Sequence, residues 1–263
     1  MRTAPNGGLR LAVVGKGGSG KSVIAGTIAR LLARRGHRVL ALDSDTLPGL
    51  SISLGADVPD EAPLNAAAER NEEGRWHLVK GVGAARAVQR YATDAPDGVR
   101  LLALGKTDRR GLAPNRASHN AFYKIVHRID DVPSLKAWTI LGDLPAGPRQ
   151  TAFDWAPYAR HFLLVVEPTW QGMLTARRII RIARQQRDAE FSLVVNKVTP
   201  EADVARAEEF LGVPLLGTVP ADGEVRAAER AGVAVLDAAP DCGAVQAIER
   251  LVDALDASTM ERL

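Results

Sequence analysis

Seven short apolar runs separated by helical patterns limit this sequence to one kind of architecture. They are "LRLAVV" (9–14), "RVLALD" (38–43), "VRLLALG" (99–105), "WTILGD" (138–143), "HFLLVVEP" (161–168), "FSLVVN" (191–196) and "PLLGTVP" (214–220). Each is nearly continuous in its apolar character, which a strand needs when both faces of its sheet are covered. Helical periodicity fills the intervals at about 20–35, 84–92, 117–129, 170–188, 201–211, 222–231 and 241–257. Strands of this type alternating with helices predict an α/β chain: one mostly parallel sheet with helices on both faces, forming a single domain over 1–263. No internal repeat or long linker interrupts the pattern. The least regular segments are 46–75 and 105–118, rich in Gly, Pro, Asn and charge; they are either plain surface loops or a ligand-responsive region and a partner surface.

In such a sheet, ligands collect at the carboxyl ends of the strands. The first of those ends carries "GKGGSGKS" (15–22), which fits the phosphate-binding pattern G-x-x-x-x-G-K-[ST] between a strand and a helix. Gly15, Lys16, Gly17, Gly18, Ser19, Gly20, Lys21 and Ser22 therefore form the expected nucleotide loop. The glycines let successive N–H groups face phosphate oxygens, and the following helix N-terminus adds a favourable dipole. Lys21 would reach the β- and γ-phosphates, and the Ser22 hydroxyl would ligate Mg²⁺. Asp143 ends its strand as the expected carboxylate of the magnesium site. Asp43 and Asp45 end another strand, where a carboxylate can orient an attacking water. The alternative for these aspartates is a plain turn role. "NKVT" (196–199) puts Thr199 where a guanine-reading aspartate would stand. Asn196 can still offer its amide to an adenine edge, so the expected nucleotide is ATP.

One lysine is surplus. Lys16 opens the loop, away from the phosphates that Lys21 serves. "KGGSGKS" resembles the deviant Walker A motif, K-G-G-x-G-K-[ST], of the MinD/ParA group of P-loop ATPases. That group also includes the nitrogenase iron protein, arsenite-pump and tail-anchored-protein ATPases, and carbon monoxide dehydrogenase nickel-insertion ATPases. "DLPAG" (143–147) is similar to the group's switch II, "LDSD" (42–45) to its switch I, and "VVNK" (194–197) and "VPAD" (219–222) to its adenine-side segments. The resemblance covers nearly the whole chain. It implies that Lys16 reaches across a homodimer interface to the partner's ATP, in the manner of a finger supplied in trans. It further implies that Asp45 orients the attacking water, that Asp43 supports the magnesium site, and that Asn196 contacts adenine. Pro220 and Asp222 would then form the neighbouring wall of the base site. ATP binding would close the dimer, and hydrolysis to ADP and phosphate would release it.

Among the branches, "ALDSDTLPGLSISLG" (41–55) and "VVEPTWQGMLTARRI" (165–179) resemble the nickel-insertion, CooC-type ATPases. "GTVPADGEVRAAERAGVAVLD" (217–237) agrees with the common C-terminal pattern. Two departures qualify the likeness. That branch carries a C-x-C motif, whereas 104–129 holds no cysteine and the chain has only Cys242, which excludes thiolate metal sites and iron–sulfur bridges built from one chain's cysteines. Thr46 also stands where switch I usually has proline. His119 and His127 lie eight residues apart on one predicted helix, a spacing unlike that of paired metal ligands.

Other branches fit less well. The C-terminal helix pairs apolar Val245, Ile248, Val252 and Leu255 with an acidic polar side, which reads as core packing and not as a membrane anchor. A tail-anchored-protein ATPase would need a long Met- or Leu-rich helical insertion, and the chain has only three methionines. Arg177, Arg181 and Arg184 share one face of a helix and could contact DNA phosphates, as in ParA, or be a solvated charged face. A small-molecule kinase would need a substrate pocket and lid, and neither is legible. A net charge of +3 favours no class of partner. The apolar runs are too short to cross a bilayer, and the N-terminus lacks an apolar signal core, so a cytoplasmic location is expected. The reading is a Mg·ATP-dependent switch that acts on a protein partner, a metalloenzyme or assembly, through 105–130. The alternative is a positioning ATPase whose ATP-bound dimer binds DNA non-specifically.

Overall fold

The computed structural model describes residues 8–106, 115–148, 154–186, 188–200 and 204–260. Its main sheet has eight strands: β1 (Arg10–Gly15), β2 (Val39–Asp43), β5 (Thr93–Asp94), β6 (Arg100–Ala103), β7 (Thr139–Asp143), β8 (His161–Val166), β9 (Glu190–Val198) and β10 (Leu215–Pro220). Their spatial order is β10-β9-β8-β1-β7-β2-β6-β5. All neighbours run parallel except the short edge strand β5, which is antiparallel to β6. All seven apolar runs of the sequence are strands of this sheet.

The strands' two-residue periodicity divides the core. Leu11, Val13, Ala41, Leu141 and Val165 face one side. There they meet α1 (Lys21–Arg34), the four-residue α8 (Val235–Ala238) and α9 (Gly243–Met260). Ala12, Val14, Leu40, Leu42 and Leu164 face the other. That side is covered by α3 (Ala84–Tyr91), α4 (Arg116–Val126), α5 (Trp170–Gln186) and α6 (Val204–Leu211). Helix α7 (Gly223–Ala231) follows β10 and buries Ala228.

The apolar stripe of α9, including Val245, Ile248, Val252 and Leu255, is at most 2% exposed and packs on β10 and α1. Each such side chain contributes about 1.5–3 kcal/mol through burial. Among the described residues, no helix is long and apolar enough to cross a membrane.

The segment 46–75 is more ordered than a plain loop. It contains the six-residue α2 (Gly49–Leu54), a 3₁₀ turn (Pro63–Ala67) and β3 (Ala68–Arg70), which pairs antiparallel with β4 (Trp76–Leu78). Leu50, Leu54 and Leu64 anchor it in the core. These elements are too short to display a period, so tertiary burial defines them. Of the expected partner segment 105–130, residues 107–114 lie outside the described residues.

Register places the chemistry. Val13 lies opposite Asp143 across β1–β7, and Asp43 lies opposite Asp143 across β2–β7. The two aspartates thus reach the same sheet edge as the glycine-rich loop.

Candidate functional site

The loop leaves β1 at Gly15 and enters α1 at Lys21. Gly20 sits in left-handed conformation (φ 91°), and a Cβ there would lie 2.2 Å from the Asn196 amide nitrogen; only glycine fits. The loop's carbonyls are engaged on its outer side. Gly147 N–H donates to Gly15 O (3.0 Å), Ser19 N–H to Lys16 O (3.2 Å), Asn196 Nδ2 to Ser19 O (2.7 Å) and Lys197 Nζ to Gly18 O (2.5 Å). With these carbonyls engaged, a glycine-rich turn before a helix start has backbone N–H groups to offer a phosphate. The space at the turn is open: a Cβ on Gly18 would meet nothing within 4 Å, and one on Gly17 only Ala146 Cβ at 3.4 Å.

Lys21, buried at the start of α1, donates from Nζ to Lys16 O (3.3 Å). Burial lowers its pKa, while the charges of Asp143 and Asp45 oppose that shift. Ser22 Oγ donates to Asp143 Oδ2 (2.5 Å), and Asp143 Oδ1 is buried without a hydrogen-bond partner. Burial raises the Asp143 pKa to about 6, against the Ser22 hydrogen bond and the Lys21 charge. Beside it, Asp43 is held well above the usual carboxylate range, first by burial and then by the Asp143 charge. Its Oδ1 accepts from Asp45 N–H (3.1 Å), and Leu50 N–H also supports it, so Asp43 shapes the switch I turn from below. Asp45 is less buried than Asp43, and its Oδ1 accepts from Leu47 N–H (3.2 Å).

Lys16 does not join this group. Its Nζ donates to Gln171 Oε1 on α5 (3.3 Å), on the outer side of the loop. Asn196 is 7% exposed and ties β9 to the loop as described. Pro220 ends β10, and Asp222 caps two helices: Oδ1 accepts from Glu224 N–H (2.9 Å) at α7, and Oδ2 from Ala244 N–H (3.0 Å) at α9. Those backbone donors lower its pKa. Asp222 therefore joins the starts of α7 and α9, with both carboxylate oxygens engaged.

Four contributors were not picked out from the sequence. Lys197 adopts φ 58° and bridges Gly18 O to Glu167 Oε1 (2.6 Å). Gln171 holds Lys16. Tyr158, fully buried, lays its hydroxyl over Gly142, where a Cβ would come within 1.8 Å of that oxygen; this explains the glycine before Asp143. Lys197 lies in the quoted "VVNK", and Glu167 and Gln171 lie in the quoted "VVEPTWQGMLTARRI", without any of them being singled out. The contacts of Glu167, Gln171 and Tyr158 depend on packing across the chain.

His119 of α4 and His127, which follows the helix, are engaged in packing. His119 meets the edge of the Trp155 ring (centroids 4.7 Å apart), and His127 Nε2 lies 3.0 Å from Asp154 O. Among the described residues, no group of three or more His, Cys, Asp or Glu could hold a metal ion. On α5, Arg177, Arg181 and Arg184 are exposed, with Arg178 beside them. Arg177 stacks on Phe210 (4.4 Å) and Arg184 on Phe191 (5.8 Å), and the helix contains no acidic residue.

A glycine loop between β1 and α1, a buried lysine, and a serine–aspartate pair at one sheet edge define a P-loop nucleotide-binding protein. The family model described as "CobQ/CobB/MinD/ParA nucleotide binding domain" matches residues 11–248, and the chain belongs to that family of ATPases. It is 27% identical over 231 residues to the carbon monoxide dehydrogenase accessory protein CooC of Rhodospirillum rubrum, covering 82% of this chain and 85% of that one. It is 26% identical over 233 residues to an ATP-binding protein of Methanocaldococcus jannaschii, with 82% and 87% covered. Its fold matches the septum site-determining protein MinD of Pyrococcus horikoshii complexed with Mg-ADP (TM-score 0.74, 21% identity, 96% of this chain and 98% of that one). A ParA family ATPase from Chlorobium tepidum matches with a TM-score of 0.71 at 17% identity, covering 93% and 98%.

Proposed function

We propose that this protein is a Mg·ATP-driven molecular switch that hydrolyses ATP, closes as a homodimer around it, and acts on a partner protein as a maturation or assembly factor. The observation that carries this reading is the division of labour between two lysines. Lys21 is buried at the start of α1 beside Asp143 and Asp45, whereas Lys16 is part-exposed and held only by an exposed contact to Gln171, which a second subunit could replace. The likeness to CooC, an accessory protein of a metalloenzyme, supports the class of partner. The absence of cysteine from 104–129 separates the proposed role from thiolate metal delivery.

The site has the chemistry to hold a magnesium nucleotide. The space at Gly18 is open and that at Gly17 meets only Ala146 Cβ, Asp143 Oδ1 lacks a partner, and Ser22 Oγ stands at the other carboxylate oxygen. Ser22 and Asp143, with Asp43 behind them, would hold Mg²⁺, which offsets phosphate charge when bound. Lys21 would bind the β- and γ-phosphates, Asp45 would orient water, and Lys16 would add positive charge from the partner subunit. Asn196, with Pro220 and Asp222 behind the base, would border adenine.

A second reading rests on the exposed arginines of α5. Arg177, Arg181 and Arg184 present guanidinium groups, two of them stacked on rings, as a ParA-like surface for non-specific DNA. One experiment separates the readings. An Asp45→Ala variant should trap the ATP dimer; its sedimentation, with and without duplex DNA and at low and physiological salt, is the measurement. A dimer that ignores DNA supports the protein-partner role, and DNA binding that survives physiological salt replaces it with positioning. A protein that stays monomeric with ATP overturns both.

A further inference from the structure

Lys16 is held by its own chain. Its ammonium donates to Gln171 Oε1 at 3.3 Å, and Gln171 belongs to the first turn of α5. That turn is firmly seated. Gly172 N–H donates to Thr169 Oγ1 (3.2 Å) and Met173 N–H to Thr169 O (2.9 Å), while a Cβ at position 172 would come within 2.5 Å of Glu167 O. Glu167 pairs with Lys197, which donates to Gly18 O. The β8–α5 junction thus grips the outer arm of the loop twice: at Gly18 through Glu167 and Lys197, and at Lys16 through Gln171. The two grips differ in kind. The first is an ion pair on a backbone carbonyl and holds the loop itself. The second is a neutral amide on a mobile ammonium, weak enough to exchange.

We propose that Gln171 is a positioning residue that retains Lys16 in the single subunit and competes with the partner's nucleotide for it, so that releasing Gln171 is part of dimer closure. This rests on the reading of Lys16 as a residue acting across the dimer. An ammonium that must serve another subunit's phosphates leaves its own acceptor first, and the strength of that acceptor biases the equilibrium. The neighbouring surface gives the device a point of access. Trp170, the residue before Gln171, is 52% exposed and meets Phe210 at a tilt (ring centroids 5.0 Å apart), with Arg206 over its ring (5.7 Å). Any shift of this turn would move the acceptor of Lys16.

The test places Gln171→Ala and Gln171→Glu in the Asp45→Ala background and follows ATP-dependent dimerisation by sedimentation. Loss of one acceptor should let the Ala variant dimerise at about threefold lower protein concentration, and the charged acceptor should raise the requirement about tenfold. The Glu effect should shrink in about 0.5 M salt, because the added attraction is between exposed charges. Opposite shifts are the signature, since damage to the helix start would push both variants the same way. Shifts in one direction, or none while the Asp45→Ala parent dimerises, would overturn the role of Gln171 alone. A parent that never dimerises with ATP would remove the dimer reading and this inference with it. An independent check is the reactivity of the Lys16 amine toward an acylating reagent in nucleotide-free protein, read by peptide mass spectrometry. It should rise about threefold in Gln171→Ala, and an unchanged rate would refute the contact.

Discussion

The two arms of the glycine loop are built differently. The inner arm, at Lys21 and Ser22, holds a buried lysine and a half-buried serine, and its polar contacts run to the Lys16 carbonyl and to Asp143 on the central strand β7. The outer arm, from Lys16 to Gly18, is more exposed and is held by side chains from β9 and the β8–α5 junction. A buried charge needs fixed partners, because leaving it unpaired in low dielectric is costly. An exposed one can exchange partners cheaply, because water replaces what it loses. The inner arm thus suits constant binding, and the outer arm suits a residue that must change partners.

Breaking the inner arm should have the largest effect. Lys21→Ala removes charge-assisted hydrogen bonds to phosphate and should weaken ATP binding by about 1,000-fold; calorimetric affinity near wild type would remove the phosphate-loop assignment. Lys16→Ala should instead leave ATP affinity within about threefold and reduce turnover in the dimer by about 100-fold, the cost of one lost transition-state donor. Turnover equal to wild type across a range of protein concentrations would show that the outer lysine does not act across subunits.

How much of this asymmetry could be read from the sequence follows from the range of each contact. The loop, Asp43, Asp143 and the parallel sheet are local patterns: apolar runs, a glycine spacing, an aspartate closing a strand. Lys16 stood out because it is surplus to that spacing. Its acceptor did not, because Gln171 is 155 residues away and one glutamine among helical residues carries no signal. Asp222 shows the converse. Its place just after the last strand was legible, but its capping of α7 and α9 depends on two helix starts meeting at one carboxylate. Likewise α2 and the β3–β4 hairpin exist by burial of a few leucines and alanines, which no periodicity of such short pieces could reveal.

The buried arm should also respond to pH in a way the exposed arm cannot. Asp143, with its pKa raised to about 6, binds its proton more tightly in the folded chain than in the unfolded one. The stability this gives is fully present below the unfolded pKa of about 3.9, and is lost as pH rises through about 6. The nucleotide-free protein should therefore lose up to about 3 kcal/mol over that interval. Asp43, shifted the same way, would steepen the loss. Magnesium-dependent nucleotide affinity should run oppositely, falling about tenfold per unit below pH 6 as Asp143 takes up its proton. Asp143→Asn should flatten the Asp143 part of the stability profile. A wild-type profile flat between pH 4 and 7 would mean that the carboxylate is as well solvated as one at the surface.

The smallest effect tests the grip on the outer arm. Lys197 occupies left-handed backbone space (φ 58°), which costs a side-chain-bearing residue about 1 kcal/mol relative to glycine. Lys197→Ala and Lys197→Gly lose the same contacts to Gly18 O and Glu167, and differ mainly in how easily the backbone holds that conformation. Glycine has more freedom to lose from the unfolded chain, but no Cβ to strain in the folded one. If the native left-handed geometry is enforced by the fold, the glycine variant should be the more stable of the two by about 1 kcal/mol in urea unfolding. Both should loosen the outer arm alike, seen as faster amide exchange at Gly17 and Gly18 with little change at Lys21. Equal stabilities would mean that the backbone relaxes once the ammonium is gone, so that the ion pair itself imposes the strain. Faster exchange at Lys21 as well would mean that the two arms move as one body and that their separation does not extend to dynamics.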